Sequence, residues 1–162
     1  MKIESVDIYR YNLPLNCFLS QGNETLIERE GLIVRLASNG EEGFGEIAPL
    51  PGRSKETLER ALAQIQDIKS ELLTLTVPDK LTRLDGRLGS LLKKFELRPS
   101  VQFGLEMALL NLLANAKKTT LYHLLSTAFR DHIKINGLVH GDKESAVKQT
   151  KELLKMELKH LY

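Results

Sequence analysis

The sequence lacks several residues that mark specialised classes of protein. It has 162 residues, with a single cysteine, Cys17, and no tryptophan. One cysteine cannot form an internal disulfide bond, and no metal-ligand spacing surrounds it. The composition therefore excludes a disulfide scaffold, and a reducing, cytoplasmic location is expected.

Excess charge of one sign and long apolar runs are also missing. The formal net charge is +2, which is too small to indicate binding to nucleic acid or to an anionic membrane. The longest apolar region, residues 101–114, is interrupted by Gln102, Glu106 and Asn111, so it does not predict a membrane span. The N-terminus lacks the apolar core of a signal peptide. Nucleic acid and membranes are therefore not expected as partners.

The first part of the chain has the pattern of an antiparallel sheet. Strands rich in β-branched, aromatic and apolar residues are predicted at residues 3–13, 32–37 and 43–47. Pro14 closes the first strand, and the polar residues 16–28 predict a mobile loop. Asn39 and Gly40 supply the positive φ angles that a tight hairpin needs. The sequence thus predicts a three-stranded meander.

Helical periodicity follows the sheet. One apolar face is formed by Leu58, Ala61, Leu62, Ile65, Ile68 and Leu72. Further helices are predicted at residues 79–84, 101–116 and 120–125. The segment 101–116 is apolar on nearly every side and predicts the buried central helix, with Pro99 in its first turn. Gly104 inside it indicates a close backbone contact, since glycine weakens a helix.

The chain ends with a different pattern. Residues 133–139 predict a buried strand, and Asp142 is a suitable N-cap for a helix to about residue 158. Val147, Leu153 and Leu154 are predicted to face inward in that helix. Such a unit alone would leave its strand unpaired, whereas a (β/α)₈ barrel has eight such units. A standalone α+β protein, with this strand at the edge of its own sheet, is the alternative.

The segment between the third strand and the first helix is unusually constrained. Pro49 and Pro51 fix φ, and Gly52 permits backbone angles that a side chain forbids. Ser54 is a predicted N-cap, with Glu56 in the first helical turn. A rigid connector is the plainer interpretation of this segment.

The same segment, GFGEIAPLPGRSKET at residues 43–57, resembles the end of the capping-domain sheet in the enolase superfamily. The o-succinylbenzoate synthases resemble it most, and the segments PSVQFGLEMAL at 99–109 and INGLV at 135–139 agree in the expected order. The resemblance implies an α+β fold: a capping domain at residues 1–130, with a three-stranded antiparallel meander followed by helices. Residues 131–162 would be the first β/α unit of a truncated (β/α)₈ barrel.

The resemblance also implies an activity for the complete protein. This activity is Mg²⁺-dependent dehydration of a small-molecule carboxylate in menaquinone biosynthesis, a carbon–oxygen lyase reaction. The lysine bases would lie on the second and sixth barrel strands and the metal carboxylates on the third to fifth, in a barrel segment missing from this chain. We therefore expect no catalytic residue, no bound Mg²⁺ and no activity in these 162 residues. The alternatives are a dipeptide epimerase, an N-acylamino acid racemase, or a non-enzymatic binding module.

In the resembling enzymes, the loops corresponding to residues 16–28 and 47–53 close over the barrel and shape specificity. The predicted substrate-facing residues are Leu19, Ser20, Gln21, Arg29, Leu50, Pro51, Gly52, Arg53 and His140. Arg29 suits a substrate carboxylate through its bidentate geometry, while an ion pair with Glu28 or Glu30 is equally compatible. Arg53 stands where a bulkier apolar residue is expected. The resemblance gives Glu46 a structural role, capping loop amides, rather than that of a general base.

Overall fold

The structure is a computed structural model that describes residues 1–21, 24–78, 87–130, 133, 136–137, 139, 141–155 and 160–161. The chain divides into two compact units, Met1–Thr127 and Ala128–Tyr162. The assignment of residues 1–130 to a capping domain and 131–162 to a barrel unit stays a prediction.

The first unit contains the predicted three-stranded antiparallel sheet, in the order β1-β2-β3. The strands are β1 (Ser5–Gln21), β2 (Glu24–Ser38) and β3 (Glu41–Ile47). Asn39 and Gly40 have φ angles of 51° and 76°, which confirms the predicted hairpin between β2 and β3.

The first hairpin is longer than predicted, because β1 and β2 continue through the described residues of the expected loop 16–28. The loop prediction was therefore wrong for these residues. Pairing runs without interruption to Pro14 opposite Glu28, and resumes at Leu19 opposite Leu26 after a register shift. Pro14 cannot donate to the sheet, so a shift at this point is physically expected. We call the paired segment beyond it, residues 19–21 with 24–26, the hairpin arm.

The helical layer packs on one face of the sheet. The helices of the first unit are α1 (Leu58–Asp67), α2 (Lys69–Leu72), α3 (Arg87–Leu92), α4 (Pro99–Ala116) and α5 (Leu121–Leu125), with a 3₁₀ turn at Lys93–Phe95. The predicted face of α1 is buried at Leu58, Ala61 and Ile65. The helix predicted at residues 79–84 lies outside the described residues.

Helix α4 lies unusually close to β3. A Cβ atom added to Gly104 would be 2.8 Å from the carbonyl oxygen of Glu46, and one added to Gly45 would be 2.8 Å from the nitrogen of Ala108. The predicted close backbone contact at Gly104 is therefore confirmed. The core between the layers includes Ile3, Leu32, Leu36, Ile47, Ile65, Leu72, Leu92, Leu105, Leu109, Leu112 and Leu113.

The start of α1 differs from the prediction. Thr57, not Ser54, is the N-cap, and its side chain accepts a hydrogen bond from the backbone nitrogen of Arg60 at 3.3 Å. The Ser54 hydroxyl accepts instead from the nitrogen of Leu50 at 2.8 Å. Both residues are good caps, and the helix begins later because Ser54 is used within the loop. Glu56 consequently precedes α1 rather than lying in its first turn.

The second unit contains β4 (Asn136–Gly137), α6 (Lys143–Lys155) and β5 (His160–Leu161). β4 and β5 pair in parallel, with Asn136 opposite His160 and Gly137 opposite Leu161. The expectation that the strand would lack a neighbour was therefore wrong for Asn136 and Gly137. His160 and Leu161 provide that neighbour, and the described elements of the unit form a β-α-β arrangement.

Helix α6 has the predicted cap but not the predicted burial. The Asp142 carboxylate accepts from the nitrogen of Ser145 at 2.8 Å, and this hydrogen bond lowers the pKa of Asp142. Val147 and Leu154 are 49% and 57% exposed, so their inward orientation was wrongly predicted, and Leu153 is half-buried. Two short strands offer little apolar surface for a helix to cover. No helix of the described residues has the length and apolar character needed to cross a membrane.

Candidate functional site

A cleft of about 400 Å³ lies in the first unit between β2 and the loop that follows β3. One wall is formed by Leu26, Glu28, Arg29 and Glu30 of β2, and the other by Pro49, Pro51, Gly52 and residues 54–59. Three predicted site residues, Arg29, Pro51 and Gly52, are thus brought together.

Arg29 connects the two walls of the cleft. Its Nη1 donates to the carbonyl oxygen of Pro49 at 2.9 Å, and its Nη2 donates to the carbonyl oxygen of Ala48. The neighbouring carboxylates have other partners: Glu28 accepts from Asn12 and Glu30 from Arg10. The expected ion pair of Arg29 with Glu28 or Glu30 is therefore not the arrangement seen.

The loop has a fixed internal shape. The carbonyl oxygen of Leu50 accepts from the nitrogens of Arg53 at 3.1 Å and Ser54 at 2.8 Å. Gly52 has a φ of 73°, a conformation that L side chains rarely adopt. Together with the Ser54 hydroxyl on Leu50, these bonds close a compact turn. The predicted rigidity of this segment thus has a defined structural basis.

A tyrosine–carboxylate pair lies at the end of β3. The Tyr11 hydroxyl donates to the Glu46 carboxylate, and the ring of Tyr11 crosses β2 at Gly31. A Cβ on Gly31 would lie 2.6 Å from Cε1 of Tyr11, so only glycine leaves room for the ring. Burial, and then the hydrogen bond and charge of Glu46, raise the pKa of Tyr11 to about 12, which Arg29 partly opposes. Tyr11 therefore stays protonated as a donor, and Glu46 holds a side chain rather than the expected loop amides.

The far end of the loop is attached to α4. Glu56 is only 6% exposed, and its carboxylate accepts from the nitrogen of Ser100 at 2.9 Å. This backbone hydrogen bond at a helix N-terminus lowers the pKa of Glu56. The sequence predicted that Glu56 lies in the first turn of α1, whereas its carboxylate is bound at the N-terminus of α4.

For the remaining predicted site residues, the structure gives a position outside the cleft, a backbone position only, or no described position. Leu50 is half-buried and Arg53 is exposed in the loop, and neither lines the cleft. Leu19, Ser20 and Gln21 lie in the hairpin arm, where the structure describes their backbone pairing. His140 lies outside the described residues. Substrate contact by each of these residues stays a prediction.

Polar side chains at the cleft and at the end of β3 are engaged within the protein. Tyr11 and Glu46 are engaged with each other, and Arg29 with two carbonyl groups. Within the described parts of the chain, no group of three or more His, Cys, Asp or Glu side chains is arranged to hold a metal ion.

Comparison of the sequence with known proteins identifies relatives. Residues 3–112 match the family model described as MenC, N-terminal domain. The chain is 44% identical over 101 residues to the o-succinylbenzoate synthase of Vibrio cholerae serotype O1 (strain M66-2), which covers 62% of this chain and 26% of that protein. It is 32% identical over 131 residues to the enzyme of the same name from Haemophilus influenzae, covering 81% of this chain and 36% of that protein. The chain thus spans only about a quarter to a third of these relatives.

Solved structures share the fold. A dipeptide epimerase from Enterococcus faecalis V583, complexed with Mg and the dipeptide L-Leu-L-Tyr, is similar with a TM-score of 0.84 and 19% identity. It matches over 99% of this chain and 45% of its own. The L-Ala-D/L-Glu epimerase from Bacillus subtilis gives a TM-score of 0.83 at 23% identity, over 99% of this chain and 44% of its own. At these identities the likeness establishes the fold, including the capping-domain meander. The sequence match over residues 3–112 shows that the chain belongs to the MenC N-terminal domain family, in agreement with its similarity to the o-succinylbenzoate synthases.

Proposed function

We propose that this chain is the N-terminal portion of an o-succinylbenzoate synthase-like dehydratase of menaquinone biosynthesis. The observation that carries the proposal is the match of residues 3–112 to the MenC N-terminal domain. Relatives named o-succinylbenzoate synthase support it. The activity belongs to the complete protein, a carbon–oxygen lyase located in the cytoplasm.

The role of this portion is to enclose a small carboxylate substrate and shape specificity. The cleft between β2 and the loop after β3 supports this role, because its walls are held by hydrogen bonds within the protein. Closure of such walls over a reaction excludes water and positions the substrate. The proposed substrate-facing residues are Leu19, Ser20, Gln21, Leu50, Pro51, Gly52, Arg53 and His140.

Magnesium is the proposed cofactor of the complete enzyme. A bound divalent cation stabilises the negative charge that develops when a proton next to a carboxylate is removed. The epimerase from Enterococcus faecalis, described as complexed with Mg, supports this choice. The metal ligands and the proton-transferring lysines are proposed to lie in the barrel segment.

The test is a comparison of the complete protein with the 162-residue chain. We expect the complete protein to form o-succinylbenzoate at a rate that chelation of Mg²⁺ abolishes, whereas the 162-residue chain forms none above background. A preparation without host synthase is the necessary control. Turnover by the short chain would contradict the proposal.

A second candidate is epimerisation of dipeptides, favoured by the fold shared with dipeptide epimerases. The complete protein is therefore also assayed with L-Ala-L-Glu and L-Leu-L-Tyr for exchange of the α proton. Exchange with dipeptides and no dehydration would replace the first candidate with the second.

A further inference from the structure

We propose that Arg29 is a positioning residue that fixes the loop after β3 through the carbonyl groups of Ala48 and Pro49. It thereby sets the position of Pro51 and Gly52 at the cleft. The effect on catalysis rests on the proposed function, whereas the anchoring of the loop does not.

Arg29 contacts the loop through two hydrogen bonds at once. The two guanidinium nitrogens donate to carbonyl oxygens of consecutive residues, and both hydrogen bonds are partly buried. A charged, planar donor with two N–H groups restricts both the position and the orientation of the peptide that it holds. A single contact would leave that peptide free to rotate.

The loop itself has few hydrogen-bond donors. Pro49 and Pro51 have no backbone N–H, so this stretch has few donors of its own. The turn around Leu50 is closed by Arg53 and Ser54, which lie after it. The carbonyl groups before the turn therefore depend on a donor from elsewhere, and Arg29 supplies it.

The acidic residues next to Arg29 are engaged by other side chains. Glu28 and Glu30 flank Arg29 in β2 and line the same cleft, so their carboxylates are possible competing partners for its guanidinium. Asn12 and Arg10 engage those two carboxylates. The hydrogen bonds of the Arg29 guanidinium to described residues go to the loop, and the Tyr11–Glu46 pair lies close enough for the charge of Arg29 to offset part of the rise that burial causes in the pKa of Tyr11.

The main alternative is that Arg29 binds a substrate carboxylate directly. A guanidinium has five N–H donors, so a carboxylate would either bind the donors that the two carbonyl groups leave or displace one of those groups. The two roles make different predictions: an anchor orders the loop before any ligand is present, whereas a clamp acts only on binding.

The experiment uses the complete protein with the variants Arg29→Gln and Arg29→Lys. The matched control is Arg35→Gln, which removes an arginine from the same strand that pairs with Asp7 and Glu42 instead of the loop. Amide hydrogen exchange is measured without ligand at Leu50, Arg53 and Ser54, and steady-state kinetics are measured on the same samples.

We expect Arg29→Gln to speed exchange at these amides by about tenfold or more, since charged hydrogen bonds restrain local opening. It should lower kcat by about tenfold to a hundredfold through misplacement of the loop. Arg29→Lys keeps a cation and should restore part of both properties, while Arg35→Gln should leave loop exchange unchanged.

Unchanged loop exchange in Arg29→Gln, with a raised KM alone, would overturn the proposal in favour of the carboxylate clamp. If Arg29→Gln does not fold, Arg29→Lys decides: exchange equal to that of the unmodified protein would also overturn it. A complete protein without dehydratase activity would refute the proposed function, and the exchange measurements would still test the anchor.

Discussion

At the scale of single residues, Gly31 has a role that its sequence context does not reveal. It lies beneath the ring of Tyr11, which reaches across β2 to Glu46. We predict that Gly31→Ala displaces the ring, breaks the hydrogen bond, and lowers the free energy of unfolding by about 1–3 kcal/mol. Urea denaturation measures the change.

The control for this substitution is Gly89→Ala in α3. The nearest atom to its added Cβ would be Oε1 of Glu106 at 4.0 Å, so the change should be neutral or stabilising, as expected within a helix. In a Tyr11→Ala background the cost of Gly31→Ala should shrink, because the clashing ring is gone. An undiminished cost in that background would place the strain elsewhere.

Tyr11 also gives a prediction about pH. Its pKa is raised from 10.0 to about 12, chiefly by burial and then by Glu46. A raised folded-state pKa contributes stability that is fully present below pH 10 and is lost as the pH rises toward 12. Ultraviolet titration of the phenols should show one group ionising near pH 12, absent from Tyr11→Phe. Identical titrations of the two proteins would contradict the assignment.

At the scale of elements, Glu56 links the loop to the N-terminus of α4. Its pKa is lowered by the hydrogen bond from Ser100, so its contribution is present above the ordinary value near 4.5 and is lost as the pH falls through its folded-state pKa. Glu56→Gln should therefore destabilise the protein at pH 7 by about 1 kcal/mol and by less in acid. Denaturation measured across this pH range tests it, with the exposed Glu59→Gln as control.

The outer edge of β3 is covered by α4. Asn111 and Asn115 each donate from Nδ2 at 2.7 Å, to the carbonyl oxygens of Phe44 and Glu42 respectively. An edge strand with free carbonyl groups invites pairing with another chain. We predict that Asn111→Leu with Asn115→Leu increases self-association, measured by sedimentation at several concentrations. Gln102→Leu on the same helix should not, since Gln102 contacts Glu106 rather than β3.

Structural features that neighbouring residues determine could be predicted from the sequence. Features that depend on residues far apart in the sequence could not. The Asn39–Gly40 turn, the apolar helix α4 and the Asp142 cap follow from nearby residues. The strand pairing beyond Pro14 was not predicted, because the polar composition of residues 16–28 is typical of a loop. The register of two strands across a bulge is also not determined by neighbouring residues.

In the candidate site, too, local backbone features were predictable from the sequence and contacts between distant residues were not. Proline and glycine at residues 49–52 indicated a rigid loop, as their backbone restrictions act within the segment. The contact of Arg29 with Ala48 and Pro49, and that of Glu56 with Ser100, join residues far apart in sequence. Nothing in the spacing of these residues specifies which partner each one finds.

At the scale of the whole molecule, the hydrophobic core is concentrated in the first unit. The core cluster of the described residues runs from Ile3 to Leu113, within the unit Met1–Thr127. In contrast, the described residues of α6 include none that is buried. Since burial of apolar surface is the main stabilising contribution to folding, the two units should differ in their ability to fold separately.

We therefore predict that residues 1–127 alone fold cooperatively and melt within a few degrees of the 162-residue chain, whereas residues 128–162 alone do not fold. The described residues of the second unit form two-residue strands and one largely exposed helix, and their apolar burial is too small to offset the conformational entropy of the chain. Circular dichroism melts of both fragments and of the 162-residue chain measure this. A cooperative transition in residues 128–162, or a much lower melting temperature for residues 1–127, would show that the first unit draws essential stability from the second.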